Sequence, residues 1–148
     1  MDARAGVQFL HDNGFDDHHI VYVGESIGTG VAAQLAASEL SVAVLLRSPF
    51  ASLVDEAKTL YPWLPVNLLL RDRFETMQYL PSITCPITVL AGSADSTVSV
   101  GQSTTVANNA PNLFQFIVVP GVDHNDGIWF GSYLAQQVDA LARFAVPQ

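Results

Sequence analysis

The chain is short of basic charge: six Lys and Arg stand against fourteen Asp and Glu, for a formal net charge of −8 over 148 residues. Nucleic acid, anionic membrane surfaces and acidic polymers are held through basic patches, so all three are excluded as expected partners, while a small neutral substrate remains open. Cysteine is nearly absent. Cys85 stands alone before Pro86, which rules out a disulfide within the chain and leaves a packed thiol. No apolar stretch is long enough to span a bilayer, and no basic-then-apolar leader opens the sequence, so the expectation is a cytoplasmic protein. Metal-ligand spacing and a phosphate-binding lysine are missing as well, which predicts neither a metal nor a cofactor. What is abundant is apolar content, 49% against a charged fraction of 14%. That composition predicts one globular domain over residues 1–148 with a sizeable buried core.

The apolar residues fall into short runs separated by helical periodicity. Residues 3–12 carry Val7 and Leu10 on one helical face, with the stop signal Asn13-Gly14 behind them. Strands are expected near 20–23, 42–46, 86–91 and 113–119, alternating with helical segments around 31–37, 100–109 and 129–144. Such alternation means an α/β fold with a mostly parallel sheet of about four strands flanked by helices. Runs such as Val42-Ala43-Val44-Leu45-Leu46 are apolar at every position, as strands buried on both faces are. The stretch between the second and third strands is far longer than an ordinary crossover and predicts a helical cap, approximately residues 50–80.

The chemistry concentrates where the first strand meets the first small-residue helix, at Gly24-Glu25-Ser26-Ile27-Gly28. A serine on a sharp strand-to-helix turn has the setting of a nucleophile elbow. Its hydroxyl is a poor nucleophile until a base takes the proton and fixed donors receive the developing charge. A helix N-terminus aims free N–H groups at the site, and that of Ile27 is the natural oxyanion donor. Asp95 follows the third strand in Gly92-Ser93-Ala94-Asp95, and His124 follows the fourth in Gly121-Val122-Asp123-His124. Ser, Asp and His thus arrive in the order a serine hydrolase of this kind requires, each just past the carboxyl end of a strand. In the implied mechanism His124 relays the serine proton while Asp95 fixes its tautomer.

Plainer readings exist for each residue. Asp95 after Gly-Ser-Ala is also a turn former, His124 in a polar loop is also a solvated residue, and Asp123 is a rival acid. The spacing Gly24-x-x-x-Gly28-x-Gly30 resembles a dinucleotide-binding turn, with Arg47 placed to favour a 2′-phosphate. That reading fails for want of a Tyr-x-x-x-Lys pair, because the single lysine, Lys58, precedes Tyr61. His18 and His19, in Asp16-Asp17-His18-His19, form either a metal pair or a solvated turn, and the turn is the default. In the cap, Phe50, Tyr61, Trp63, Leu64, Val66 and Leu68 to Leu70 are interrupted by Pro62 and Pro65. They either pack helices or wall an acyl pocket. On the second reading Glu25, Phe50, Trp63 and Leu64 are the substrate-binding candidates.

Together Gly24 to Gly30, Arg47-Ser48-Pro49-Phe50, Ala91 to Asp95 and Gly121 to Asp126 resemble the α/β-hydrolase superfamily and, within it, the BEM46-like serine hydrolases. The resemblance covers nearly the whole chain and implies a reduced, minimal α/β-hydrolase fold with Ser26, Asp95 and His124 as the triad. It also implies a carboxylesterase acting on short-chain acyl esters or thioesters. Members of that family carry a front half that has no counterpart in this sequence, including the strand beside the elbow strand and the loop giving the second oxyanion N–H. Loss of one oxyanion donor typically costs about 10² to 10³ in turnover, so slow hydrolysis is expected. Ile20 to Val23 would be left as an open apolar edge, which predicts a homo-oligomer built on it. The alternative is a truncated or degenerate hydrolase domain serving as a non-catalytic binding or assembly module.

Overall fold

A computed structural model describes residues 3–52, Val54, Trp63 and 76–146. Most of the expected cap, Leu64 included, therefore lies outside the described residues. Four parallel strands form one sheet: β1 (Val21–Glu25), β2 (Ala43–Arg47), β3 (Ile87–Gly92) and β4 (Leu113–Val119), in the spatial order β1-β2-β3-β4. Parallel neighbours need crossover connections, and helices supply them. α2 (Gly28–Ser38) joins β1 to β2 and α3 (Val100–Asn109) joins β3 to β4, while α1 (Ala3–Asp12) precedes β1 and α4 (Ser132–Ala145) follows β4.

The two faces of the sheet bury separate apolar clusters. Tyr22, Val44, Leu46 and Val89 pack on one side with Ala32, Ala33 and Ala36 of α2 and Val106 of α3. Alanines let α2 lie close on β1. On the other side Ala43, Leu45 and Leu90 meet Trp129 and Leu141 of α4. Every residue of β2 and β3 is buried, Arg47 and Thr88 included, as strands covered on both faces are. The outer strands differ. β4 is half-exposed along its length, and Val23 of β1 is 47% exposed.

β1 has the composition of a central strand yet pairs only with β2 among the described residues. Its outer flank lies between two apolar grooves on opposite faces. One, of about 440 Å³, is lined by Val7, Leu10, Tyr22 and Val31; the other, of about 620 Å³, by Val23, Phe130, Leu134 and Val138. The last helical stretch also departs from expectation. A 3-10 turn covers Gly127–Phe130, Gly131 interrupts it in extended geometry, and α4 begins at Ser132. No described helix is long and apolar enough to cross a membrane.

Candidate active site

All four strands point the same way, so the loops after β1, β2, β3 and β4 meet at one edge of the sheet. Ser26 sits in the turn from β1 to α2 at φ 51°, a left-handed conformation that costs a non-glycine residue about 1–3 kcal/mol. The turn is held from both sides. Ser26 N–H donates to the Arg47 carbonyl at 2.9 Å, and the Ser26 carbonyl accepts from Thr29 N–H at 3.0 Å and Thr29 Oγ1 at 2.6 Å. Gly24 is required by packing: a Cβ there would lie 2.7 Å from the Gly28 carbonyl oxygen and 2.8 Å from Ala32 Cβ. Gly28 is not, since a Cβ would meet nothing within 4 Å, so the second glycine is no steric condition of the turn. Ile27 leads into α2, and its N–H has no hydrogen-bond partner among the described residues.

Asp95 and His124 are brought together. His124 Nδ1 lies 3.0 and 2.9 Å from the two carboxylate oxygens, with the side chains of Asp95 and His124 only 1% and 8% exposed. An ionised carboxylate accepts only, so Nδ1 carries the proton and Nε2 is left as the basic nitrogen. Burial pushes the Asp95 carboxyl up, but donors outweigh it and its pKa is lowered: Val98 N–H, the His124 ring, the Ser48 hydroxyl and Thr97 N–H. Val98 and Thr97 reach Oδ1 at 2.8 and 3.0 Å, and Ser48 Oγ reaches Oδ2 at 2.8 Å. Asp123, the rival acid, does not bond the ring. Its Oδ1 accepts the His124 backbone N–H at 2.7 Å, together with Ser96 N–H at 2.7 Å and Ser96 Oγ at 2.9 Å, so it shapes the loop. The loops after β3 and β4 touch directly, because the Val122 carbonyl occupies the space that a Cβ on Gly92 would need.

Ser26 stands at the same edge, but its Oγ has no hydrogen bond to the ring or to any other described group. Of the remaining candidates, Glu25 is exposed and ion-paired with Arg47, Phe50 is 2% exposed, and Trp63 is 77% exposed. Arg47 is not available to a phosphate. It is fully buried, with its guanidinium 5.2 Å from the Trp129 ring centroid and Nη1 donating to the His124 carbonyl at 3.0 Å. His18 and His19 lie in a short 3-10 turn where Asp16 Oδ1 accepts His18 N–H at 3.0 Å and contacts His19 Nδ1 at 2.6 Å. Cys85 is half-buried against the first apolar cluster.

Sequence comparison adds the wider context. The chain is 37% identical over 144 residues to an uncharacterized protein of Mycobacterium tuberculosis H37Rv, which covers 97% of the chain and 50% of that protein. It is 27% identical over 134 residues to the α/β hydrolase domain-containing protein aho-3 of Caenorhabditis elegans, covering 90% of the chain and 39% of the relative. Among solved structures, an esterase domain from a Rhodothermus marinus protein superposes with a TM-score of 0.70 at 15% identity, covering 97% of the chain and 66% of that domain. The chain has a partial α/β-hydrolase fold. No protein-family profile matches it. The chain spans about half the length of the curated relatives it matches. Within this α/β-hydrolase framework the four site-bearing loops follow four adjacent parallel strands, the arrangement expected from the ordered motifs. Arg47 and Ser48, at the end of β2, are the site residues whose roles the sequence did not disclose. The available signal was a polar pair closing an otherwise apolar strand.

Proposed function

We propose that the chain is a serine hydrolase of carboxylic esters or thioesters, with Ser26, Asp95 and His124 as its triad. The observation that carries this reading is the dry Asp95–His124 pair, 2.9 Å apart, at the same sheet edge as a serine held at φ 51°. His124 Nε2 takes the Ser26 proton as Oγ bonds to the acyl carbon. The Ile27 N–H donates to the oxyanion. The proton then passes from His124 to the departing alcohol or thiol as its bond to the acyl carbon breaks. Water, deprotonated by the same imidazole, releases the acid and restores Ser26. Asp95 keeps the proton on Nδ1 and stabilises the imidazolium. Phe50, Trp63, Leu64 and Glu25 remain the proposed substrate contacts, and the net charge of −8 favours neutral substrates.

The unbonded Ser26 hydroxyl favours a second reading, a hydrolase-like module without turnover. Hydrolysis of short-chain nitrophenyl esters by the wild type and by Ser26→Ala decides between them. The enzyme loses its rate above background on substitution and is labelled by a fluorophosphonate at Ser26. Equal rates in both proteins, or a folded chain that never labels, would remove the triad from the account.

A further inference from the structure

We propose that the Arg47-Ser48 dipeptide is the positioning element of this site, a strand end that hydrogen-bonds to Ser26, Asp95 and His124 at once and fixes them in a common register. The inference rests on the hydrolase reading for what the three residues do, but its geometry stands apart from that reading. The Arg47 carbonyl accepts Ser26 N–H at 2.9 Å. Arg47 Nη1 donates to the His124 carbonyl at 3.0 Å, and Ser48 Oγ donates to Asp95 Oδ2 at 2.8 Å. No other pair of adjacent described residues outside the three makes all these contacts.

Two costs argue that the pair is kept for a purpose. Ser48 has φ 48°, and Ser26 and Ser48 are the only non-glycine residues with positive φ among the described residues. Glycine would fit the Ser48 backbone with less strain, so the hydroxyl is the part that a glycine could not replace. Arg47 closes a strand whose preceding residues, Ala43 to Leu46, are all apolar and buried, and its own side chain is fully buried. Its Nε makes no hydrogen bond among the described residues. A leucine would fill that place without burying a charge. The guanidinium instead takes the Glu25 carboxylate, the Trp129 face and the His124 carbonyl as its surroundings.

Donor chemistry gives the relay a direction. Guanidinium only donates and carboxylate only accepts, so the Ser48 hydroxyl, 3.3 Å from Arg47 Nη1, must spend its one proton on Asp95. Asp95 then has Oδ2 held by Ser48 and Oδ1 held by the Thr97 and Val98 N–H groups, which fixes the plane against which the His124 ring aligns. The charged groups around the imidazole are Asp95 on the ring, Asp123 on its backbone N–H, and Arg47, itself paired with Glu25, on its carbonyl.

The test uses Ser48→Gly and Arg47→Met in the full chain. Because glycine suits φ 48°, Ser48→Gly should still fold, relief of backbone strain offsetting the lost hydrogen bond to Asp95. On a nitrophenyl ester it should lose about 10- to 100-fold in kcat with KM unchanged, the scale of a sub-ångström to 1 Å misplacement. The low-field proton resonance of His124 Nδ1–H, read by NMR, should shift or broaden in both variants. The double variant should lose less than the sum of the singles, since both act through one relay. A folded Ser48→Gly with wild-type kcat and an unmoved resonance would overturn the proposal, as would a wild type lacking that resonance. If the wild type shows the resonance but neither turns over ester nor labels with a fluorophosphonate, the hydrolase reading falls. The resonance comparison then still decides the positioning role.

Discussion

The two glycines that flank Ser26 in the motif have different physical duties, and a Gly→Ala series separates them. A Cβ on Gly24 would lie 2.7 Å from the Gly28 carbonyl oxygen, 2.8 Å from Thr29 Cα and 2.8 Å from Ala32 Cβ. Ordinary carbon contacts are about 3.5–4.0 Å, so each overlap is roughly 0.7–1.3 Å. Two of the three atoms belong to the backbone of α2 and cannot swing aside. Overpacking costs about 1–3 kcal/mol where side chains can yield, and a backbone obstacle puts Gly24→Ala at the upper end, about 3 kcal/mol. For a domain of this size that lowers Tm by about 6–12 °C. A Cβ on Gly28 meets nothing within 4 Å, and the residue opens α2 without positive φ. Gly28→Ala should therefore stabilise by about 0.4–1 kcal/mol, since alanine restricts the unfolded chain. Gly92→Ala should cost more than Gly24→Ala, because the Val122 carbonyl already fills the Cβ position. Differential scanning calorimetry of the three variants gives the order directly. If Gly28→Ala is as damaging as Gly24→Ala, the tightness of the turn is not set by the contact of β1 with α2, and the steric account is wrong.

Asp95 supplies a pH signature. Its folded-state pKa is lowered, since the hydrogen bonds outweigh burial, so the stability it contributes is present above the unfolded value of about 4 and is lost as pH falls through the folded value. Urea titrations between about pH 3 and 6 should show Asp95→Asn with a flatter acid limb than the wild type; parallel limbs would refute the linkage. At the sheet edge, β1 carries no lysine or proline to blunt it and is flanked by apolar grooves on both faces, so a second copy of the chain is its proposed partner. Sedimentation at micromolar concentration should give a dimer that Val23→Lys dissociates, and a monomeric wild type would end that proposal. Burial pushes the Cys85 thiol up, so iodoacetamide should modify it more slowly in the folded than in the unfolded chain at pH 8; equal rates would contradict the burial.

Much of the fold was legible because its strands announce themselves by composition. β4 and α3 match the expected bounds, and β1, β2 and β3 start one residue later than expected. At the carboxyl ends of β1 and β2 the expectation stops short for a single reason. Apolar runs end at Val23 and Leu46, but Glu25 and Arg47 are register partners across β1 and β2 and continue the ladder as an ion pair. A hydrophobic pattern cannot see a polar pair that belongs to a sheet. The same blindness hid Arg47, whose charge suggested a contact to a 2′-phosphate and whose buried guanidinium lies against Trp129, more than eighty residues away in sequence. The motif also does not tell Gly24 from Gly28, because a motif records spacing, whereas the need for glycine is set by what the neighbouring helix presses against. Asp95 was recoverable over Asp123 because a residue adjacent to His124 more readily meets its backbone than its ring, as the bonds show.

The lateral order of the strands explains why the end of β2 matters to a site whose proposed reacting atoms come from elsewhere. Ser26 follows β1, and His124 follows β4, at opposite edges of the four-stranded sheet. Three strand spacings are about 14 Å, more than a histidine can cross from its own strand end. The loop after β4 must therefore travel back over β3 and β2, and each of those strands offers it a foothold. At β3, Gly92 gives up its side chain so that the Val122 carbonyl can pass, and Ala94 N–H then takes that carbonyl at 3.1 Å. At β2, Arg47 catches the carbonyl of His124 itself. Removing either foothold leaves the strands and the three candidate residues intact but frees the segment that carries the base. Substitutions at Gly92 and Arg47 should thus impair labelling of Ser26 without touching Ser26, Asp95 or the His124 ring.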